Sequence, residues 1–355
     1  MEVRVVNWRC IEDLEIETSR LNVFVGKNST GKSSLAYALY FTSKTSEGKP
    51  MAPEWVLAQL YGYGFDKVAR IVNGKPQFPV SIKAGEHELI VRPVPGEGRF
   101  EVIRPKTSPW TDEFLLPSRR IDFMHILMFL PKLVRASVRG TAASLRELTG
   151  PSVAAVSMFT WLFELVKELP ILPPFGHFAT DLTRALGVPI EPLSREIPEL
   201  GSYTVVIPYL IRLMDIRIRD PFTKLELPLE LSPDGVVDFA IFDAMTERAP
   251  EGSLIVIEEP EIHKNPLMIL DFIKQVAERA LDRDLTVVMT THSDLVPSAL
   301  AKLVGDGLLE VDDLRIYYFR RSKKRPWTQV SEIPIFEDGT TGGFPDAEEV
   351  ISRLF

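Results

Sequence analysis

"LNVFVGKNSTGKSSLAYALY", residues 21–40, decides how the rest of the chain is read. It opens as an apolar strand, Leu21–Val25, and tightens into a glycine-bearing turn at Gly26–Gly31. It then continues with Leu35, Ala36, Ala38 and Leu39 at helical spacing. Gly26–Ser33, "GKNSTGKS", fits G-x-x-x-x-G-K-[ST] and stands where that pattern has to stand, after a strand and opening a helix. Glycine lets the loop fold tightly, so that successive backbone N–H groups point into one concavity. With the positive end of the helix, that nest is an anion site. Gly26, Lys27, Asn28, Ser29, Thr30, Gly31, Lys32, Ser33 and Ser34 are therefore expected to hold nucleotide phosphates. Lys32 reaches the β- and γ-phosphates in this reading, and Ser33 offers its hydroxyl to Mg2+. The bland alternative is a chance glycine-rich strand–helix turn.

A second stretch completes the first. "LIVIEEPEIHKNP", residues 254–266, is an apolar strand that runs into Glu258 and Glu259 and stops at Pro260. Adjacent carboxylates at a buried strand end repel each other and lose hydration. A cation on one side and a phosphate-bound water on the other would relieve both. Side chains alternate along a strand, so Glu258 is expected to face Mg2+ and Glu259 to polarise the water that attacks the γ-phosphate. Two solvated acids at a strand end are the alternative. A third apolar strand, Val287–Met289, ends in Thr290-Thr291-His292-Ser293. His292 there is expected to hydrogen-bond a γ-phosphate oxygen or the attacking water. His87, His125 and His177 are read as structural.

Composition sets the class. The chain has 355 residues, 45% hydrophobic, with mean hydropathy +0.04, which describes a soluble globular protein. No apolar run approaches the roughly 20 residues of a membrane span. The N-terminal "MEVRVVNWRCIEDLEIE" alternates charged and apolar residues and is no signal peptide, so a cytoplasmic protein is expected. The single Cys10 permits no internal disulfide. A net charge of −8 excludes the whole surface as a trap for nucleic acid, so any DNA contact needs a local basic patch. "RRSKKR", Arg320–Arg325, flanked by Tyr317-Tyr318-Phe319 and Trp327, is such a patch or else a solvated hairpin tip. Arg135, Arg139 and Arg146 form a second candidate stripe or a wet helix face.

The organisation is α/β: a mostly parallel core sheet, an antiparallel edge sheet and an inserted helical subdomain. Residues 1–110 hold the phosphate loop and, over Val68–Ile103, alternating strands punctuated at Asn73-Gly74, Ala84-Gly85 and Pro95-Gly96. Residues 111–200 read as the helical insert. Residues 201–355 bring strands back at Tyr203–Ile207 and Leu225–Leu231, then the acidic strand and the His292 strand. A short helix at Ala347–Leu354 closes the chain.

The order of phosphate loop, acid pair and strand-end histidine resembles the ABC-type P-loop ATPases of the SMC and OLD-like group. "LNVFVGKNSTGKSSLAYALY" is similar to their Walker A segment, "LIVIEEPEIHKNP" to Walker B and the loop after it, and "MTTHSDLV" to their His switch. "LLPSRR" at Leu115–Arg120 and "EDGTTGGFPD" near the C-terminus resemble shorter OLD-like segments. The resemblance implies an ATP- and Mg2+-dependent ATPase with Lys32, Glu259 and His292 catalytic and Ser33 and Glu258 on the metal. It also implies an ATP-dependent homodimer, no membrane, and action in DNA maintenance or phage defence with a nuclease or other partner protein. A C-terminal Toprim nuclease domain, common in the group, is not expected, because Phe355 follows shortly after the ATPase strands. His263 and Asn265 would then face a second copy.

One family feature departs, and another has two candidates. The signature loop that contacts ATP across the dimer is represented by "LELSPDGVVDFAIFDAM", where Pro233 takes the phosphate-binding serine's place and Asp234 follows. Proline has no N–H to donate, and Ser232 serves only if the loop is one residue longer. The Q-loop glutamine is Gln59 or Gln77. A weakly hydrolysing, nucleotide-dependent adaptor is therefore the second expectation, and a transporter ATPase a distant third.

Overall fold

The computed structural model describes residues 1–125, 174–186, 193–197, 201–206, 215–219, 224–228 and 232–345. Arg135, Arg139, Arg146 and the closing helix expected at 347–354 lie outside them. The chain divides into two compact units, Met1–Ser118 with Ala249–Phe355, and Arg119–Arg248.

In chain order, Glu2–Trp8 (β1) and Ile11–Glu17 (β2) form a hairpin. Leu21–Val25 (β3) leads into helix Lys32–Lys44 (α1), followed by helices Pro53–Tyr61 (α2) and Phe65–Val68 (α3). Strands Ile71–Val72 (β4), Lys75–Pro76 (β5), Val80–Ala84 (β6), His87–Pro93 (β7), Phe100–Ile103 (β8) and Glu113–Leu116 (β9) come next. The second unit contains helix Phe175–Leu186 (α4), strands Leu193–Ile197 (β10), Gly201–Val206 (β11), Asp215–Arg219 (β12) and Glu226–Pro228 (β13), and helix Asp234–Thr246 (α5). The first unit resumes with Leu254–Glu258 (β14), helix Pro266–Asp282 (α6), Thr286–Thr291 (β15), helix Leu295–Gly305 (α7), Leu314–Arg320 (β16) and Gln329–Ile333 (β17).

The core sheet has the order β17-β16-β3-β15-β14-β9, parallel throughout except for the antiparallel β17. A parallel sheet is covered on both faces, which is why β3 and β14 are apolar runs buried at every position. The edge sheet, β2-β1-β6-β7-β8, is antiparallel, and its strands alternate buried and exposed residues. Helix α1 packs on strands of both sheets, against β14, β15 and β9 on one and β1 and β6 on the other. It is consequently buried nearly all round from Leu35 onward, and Phe41 meets Trp8 with ring centroids 5.4 Å apart. No helix among the described residues is long and apolar enough to cross a membrane.

Two elements differ from the expected insert. Glu113–Leu116 is a strand pairing in parallel with β14, not the start of a helical region. Its four buried residues form an apolar run too short for periodicity to separate strand from helix. Strands β10, β11, β12 and β13 form an antiparallel sheet of their own within the second unit rather than joining the core sheet. Segment 201–248 thus clusters with the second unit.

Inside that unit, Arg120 from the "LLPSRR" segment forms a two-pronged ion pair with Asp238 on α5, including Nη2 to Oδ2 at 2.6 Å, and both side chains are buried. Removing one partner of such a pair strands a buried charge. Arg120→Leu is expected to lower stability by about 3–5 kcal/mol, and leucine at both positions to recover most of that loss. Urea unfolding reads both. A single-variant loss near the roughly 1 kcal/mol ceiling of surface pairs would contradict the buried-charge account.

Candidate functional site

Register brings the site together. Val25 pairs with Thr291, and Phe24 and Glu258 both pair with Thr290. The residues immediately after these three strand ends, Gly26, His292 and Glu259, therefore emerge side by side. Ligands of open α/β sheets bind at this carboxyl edge.

Gly26 has φ 141°, and a Cβ there would lie 2.3 Å from the Phe319 carbonyl oxygen, so no other residue fits. Gly31, at φ 111°, caps α1, whose first turn carries no acid to compete with an anion. Lys32 is only 5% exposed. Its Nζ donates to the carbonyls of Gly26 (2.7 Å) and Lys27 (2.9 Å) and lies 3.2 Å from His292 Nδ1. The ammonium thus stands over the mouth of the loop, beside the amides that would receive a phosphate.

His292 bridges this cation to an acid. Its Nδ1 is 2.9 Å from the Gly26 oxygen and its Nε2 3.1 Å from Glu259 Oε1. A neutral ring protonated at Nε2 donates to Glu259 and accepts from Lys32. A protonated ring donates to both Gly26 and Glu259. Glu261 fixes the ring's backbone: its Oε1 accepts from the His292 N–H at 3.0 Å and from Thr291 Oγ1 at 2.7 Å.

Glu258 is the last residue of β14. Its Oε2 accepts from Tyr37 Oη at 2.7 Å and from the Ser118 N–H at 3.4 Å. Burial first, then the charge and hydrogen bond of Glu258, hold the Tyr37 hydroxyl well above its ordinary pKa. Tyr37 therefore stays a neutral donor to the carboxylate. Glu259 lies just beyond the strand with φ 47°, its N–H bonded to the Thr290 oxygen at 2.7 Å. This corrects the alternation expected from the sequence. The strand geometry ends at Glu258, and the left-handed turn at Glu259 lets both side chains line one cavity.

That cavity measures about 520 Å³, within the range of small-molecule sites. Asn28 to Ser34, Glu258, Glu259 and His292 all line it. Lys27 is exposed and lines a neighbouring depression with Arg320, Arg321 and Lys323. Neither glutamine considered for the Q-loop lines the cavity: Gln59 is buried in α2, and Gln77 donates to the Lys75 carbonyl. Asn265 caps α6, accepting from the Met268 N–H at 3.0 Å, and His263 has φ 60°. Ser232, Pro233 and Asp234 belong to the second unit. There Pro233 is the N-cap of α5, and Asp234 Oδ1 is 2.9 Å from His125 Nε2.

Residues not anticipated also line the cavity: Arg9, Cys10, Ser118, Arg321 and Trp327 among them. The basic run is the exposed tip of the β16–β17 hairpin, and Arg321 and the following Thr328 tie it to the loop. Arg321 Nη1 donates to the Ser29 carbonyl at 2.8 Å, Thr328 Oγ1 to that of Thr30 at 2.9 Å, and the Thr328 N–H to that of Cys10 at 2.9 Å. Aromatic residues beside a basic run were the available signal, but which strand end they join is a tertiary fact. For a divalent ion, Ser33 and Glu258 supply a hydroxyl and a carboxylate in the same cavity as the loop amides. Oxygen donors completed by phosphate and water are what Mg2+ takes.

Residues 1–86 match the family model of the AAA ATPase domain. No curated protein matches the chain. Among solved structures it is similar to the SMC head domain from Thermotoga maritima at 11% identity, over 94% of this chain and 98% of that one, TM-score 0.45. It is similar also to the SmcHead bound to the C-winged helix domain of ScpA, at 13% identity over 94% and 97% of the two chains, TM-score 0.49. A third is the Smc head domain with an extended coiled coil bound to the C-terminal domain of ScpA derived from Pyrococcus furiosus, at 12% identity over 99% and 98%, TM-score 0.46. Match and geometry fall on the same stretch: the matched residues 1–86 include β3, the Gly26–Ser33 loop and α1.

Proposed function

We propose that this chain binds MgATP in the cavity above β3, β14 and β15, hydrolyses it slowly, and uses the nucleotide as a switch. The observation that carries this is the convergence of Lys32, Ser33, Glu258, Glu259 and His292 on one cavity at adjacent parallel strand ends. Lys32 neutralises the β- and γ-phosphates, and Ser33 and Glu258 hold Mg2+, which when bound screens the phosphate charge. Glu259 accepts a proton from the attacking water. His292, held between Gly26 and Glu259, donates to the γ-phosphate or orients that water.

ATP then joins two copies head to tail, and its loss separates them, because only the triphosphate is bound differently in the two states. A cytoplasmic role in DNA maintenance or phage defence with a partner protein is the setting this reading favours. Light scattering with a non-hydrolysable ATP analogue tests it: the expected mass doubles with analogue and Mg2+ and stays single with ADP. A single mass under both conditions would sink the dimer switch.

Pro233 and Asp234 favour a second reading, a nucleotide-dependent adaptor that hydrolyses weakly or not at all. Proline donates nothing, and an aspartate facing a γ-phosphate repels it. Single-turnover hydrolysis with and without DNA separates the two, since the adaptor gives no chemical step under either condition.

A further inference from the structure

The phosphate end of the cavity accounts for Lys32, Ser33, Glu258, Glu259 and His292, but Trp327 lies outside that chemistry. We propose that Trp327 is the platform on which the nucleobase of the bound nucleotide stacks. The proposal rests on the nucleotide reading of the same cavity and assigns its second end.

Several observations place the indole there. Trp327 lines the cavity together with Ala69 and Ile71, apolar side chains unlike the loop amides, with Arg9 and Lys67 also on the wall. One side of the ring is covered by the Arg70 guanidinium, 4.7 Å from the ring centroid. Arg70 is itself held, with Nε on Asn7 Oδ1 at 2.9 Å and Nη1 on Glu12 Oε1 at 2.7 Å. The ring is thus backed by a fixed cation, and Trp327 is part of the cavity wall. A tryptophan so braced loses little freedom when a flat ligand arrives, and a guanidinium on its far face polarises the π-system.

The segment that carries Trp327 is braced too. Ser322 and Arg325 exchange backbone hydrogen bonds at 3.0 and 3.1 Å, and Arg321 Nε donates to the Pro326 carbonyl at 2.6 Å. Arg321 and Thr328, on either side of Trp327, are bonded to Ser29 and Thr30 of the P-loop. The basic run "RRSKKR" therefore serves here as a strap that sets the indole at a fixed offset from the phosphate loop. A purine attached through its ribose to phosphates in the loop is a flat, heteroaromatic ligand of the kind a braced indole stacks on. An apolar, stacked contact also explains why this end carries Ala69 and Ile71 rather than acids.

Isothermal titration of the full chain with MgATP and with inorganic tripolyphosphate, which has phosphates and no base, tests the assignment. Stacking of one base is lost with alanine at a cost of about 5- to 150-fold in affinity. Trp327→Ala is expected to weaken ATP by at least about fivefold and leave tripolyphosphate within about twofold. Trp327→Phe, which keeps an aromatic face and guards against a folding defect, is expected to bind both near wild-type strength. In wild type but not in Trp327→Phe, ATP quenches a component of tryptophan fluorescence that tripolyphosphate leaves unchanged. Equal losses for both ligands in Trp327→Ala, or no loss for either, overturn the platform. Wild-type protein that binds neither ligand overturns the nucleotide reading beneath it instead.

Discussion

Lys32→Ala is expected to abolish measurable ATP binding at ordinary micromolar concentrations. Truncating one member of a buried charged contact costs about 2–5 kcal/mol, which is roughly 30-fold to several thousandfold in affinity. The upper part of that range applies for a structural reason. Lys32 is nearly buried and is bonded to two P-loop carbonyls, so its ammonium is already held beside the amide nest. Alanine removes the ammonium bonded to the Gly26 and Lys27 carbonyls and leaves those oxygens facing the incoming phosphates. Two carbonyl dipoles then oppose the ligand where a cation had attracted it. Calorimetric titration measures the effect, with thermal unfolding as control for α1. ATP affinity within threefold of wild type would remove Lys32 from the phosphate site.

The Gly26–Ser33 turn between β3 and α1 was legible in the sequence because its backbone geometry admits few residues. Gly26 and Gly31 both adopt positive φ, and a Cβ at either would collide with its neighbours. The apolar runs of β3, β14 and β15 were equally legible, since a parallel sheet buries both faces. Glu258 and Glu259 were legible as a pair but not in their directions. A positive φ at a non-glycine residue such as Glu259 leaves no mark on the sequence.

Other parts of the site are tertiary. Tyr37 reaches Glu258 across 221 residues, and Glu261 reaches the backbone of His292 across 31. Nothing in their spacing announces either contact. Trp327 and Arg321 read locally as part of a charged hairpin. Their position at the P-loop follows only because β16, through Leu314–Tyr318, pairs with all of β3, which delivers the hairpin to the loop that follows β3. Phe114–Leu116 failed as a helix for a related reason: a short apolar run takes its form from the strand beside it, here β14.

Glu259→Gln is expected to leave ATP affinity within about threefold of wild type and to lower single-turnover hydrolysis by about 10²–10⁴-fold, the range for loss of a general base. Shape and hydrogen bonding argue for the first part. The amide oxygen of glutamine can still accept from His292 Nε2, so the bridge from Gly26 through His292 survives. The substitution leaves Glu258 and Ser33, the oxygens proposed for Mg2+, unchanged. Proton chemistry argues for the second. The carboxylate can take a proton from water as the phosphorus–oxygen bond forms, and the amide cannot. The same logic fixes the kinetic signature: the rate constant of the chemical step falls while ground-state binding holds, as for an interaction made only in the transition state. Tyr37→Phe, by contrast, loosens Glu258 and is expected to raise the Mg2+ concentration needed for tight ATP binding, measured by titration without turnover. Hydrolysis by the Glu259→Gln protein at the wild-type rate would transfer the base role elsewhere, with His292 the next group in line by geometry.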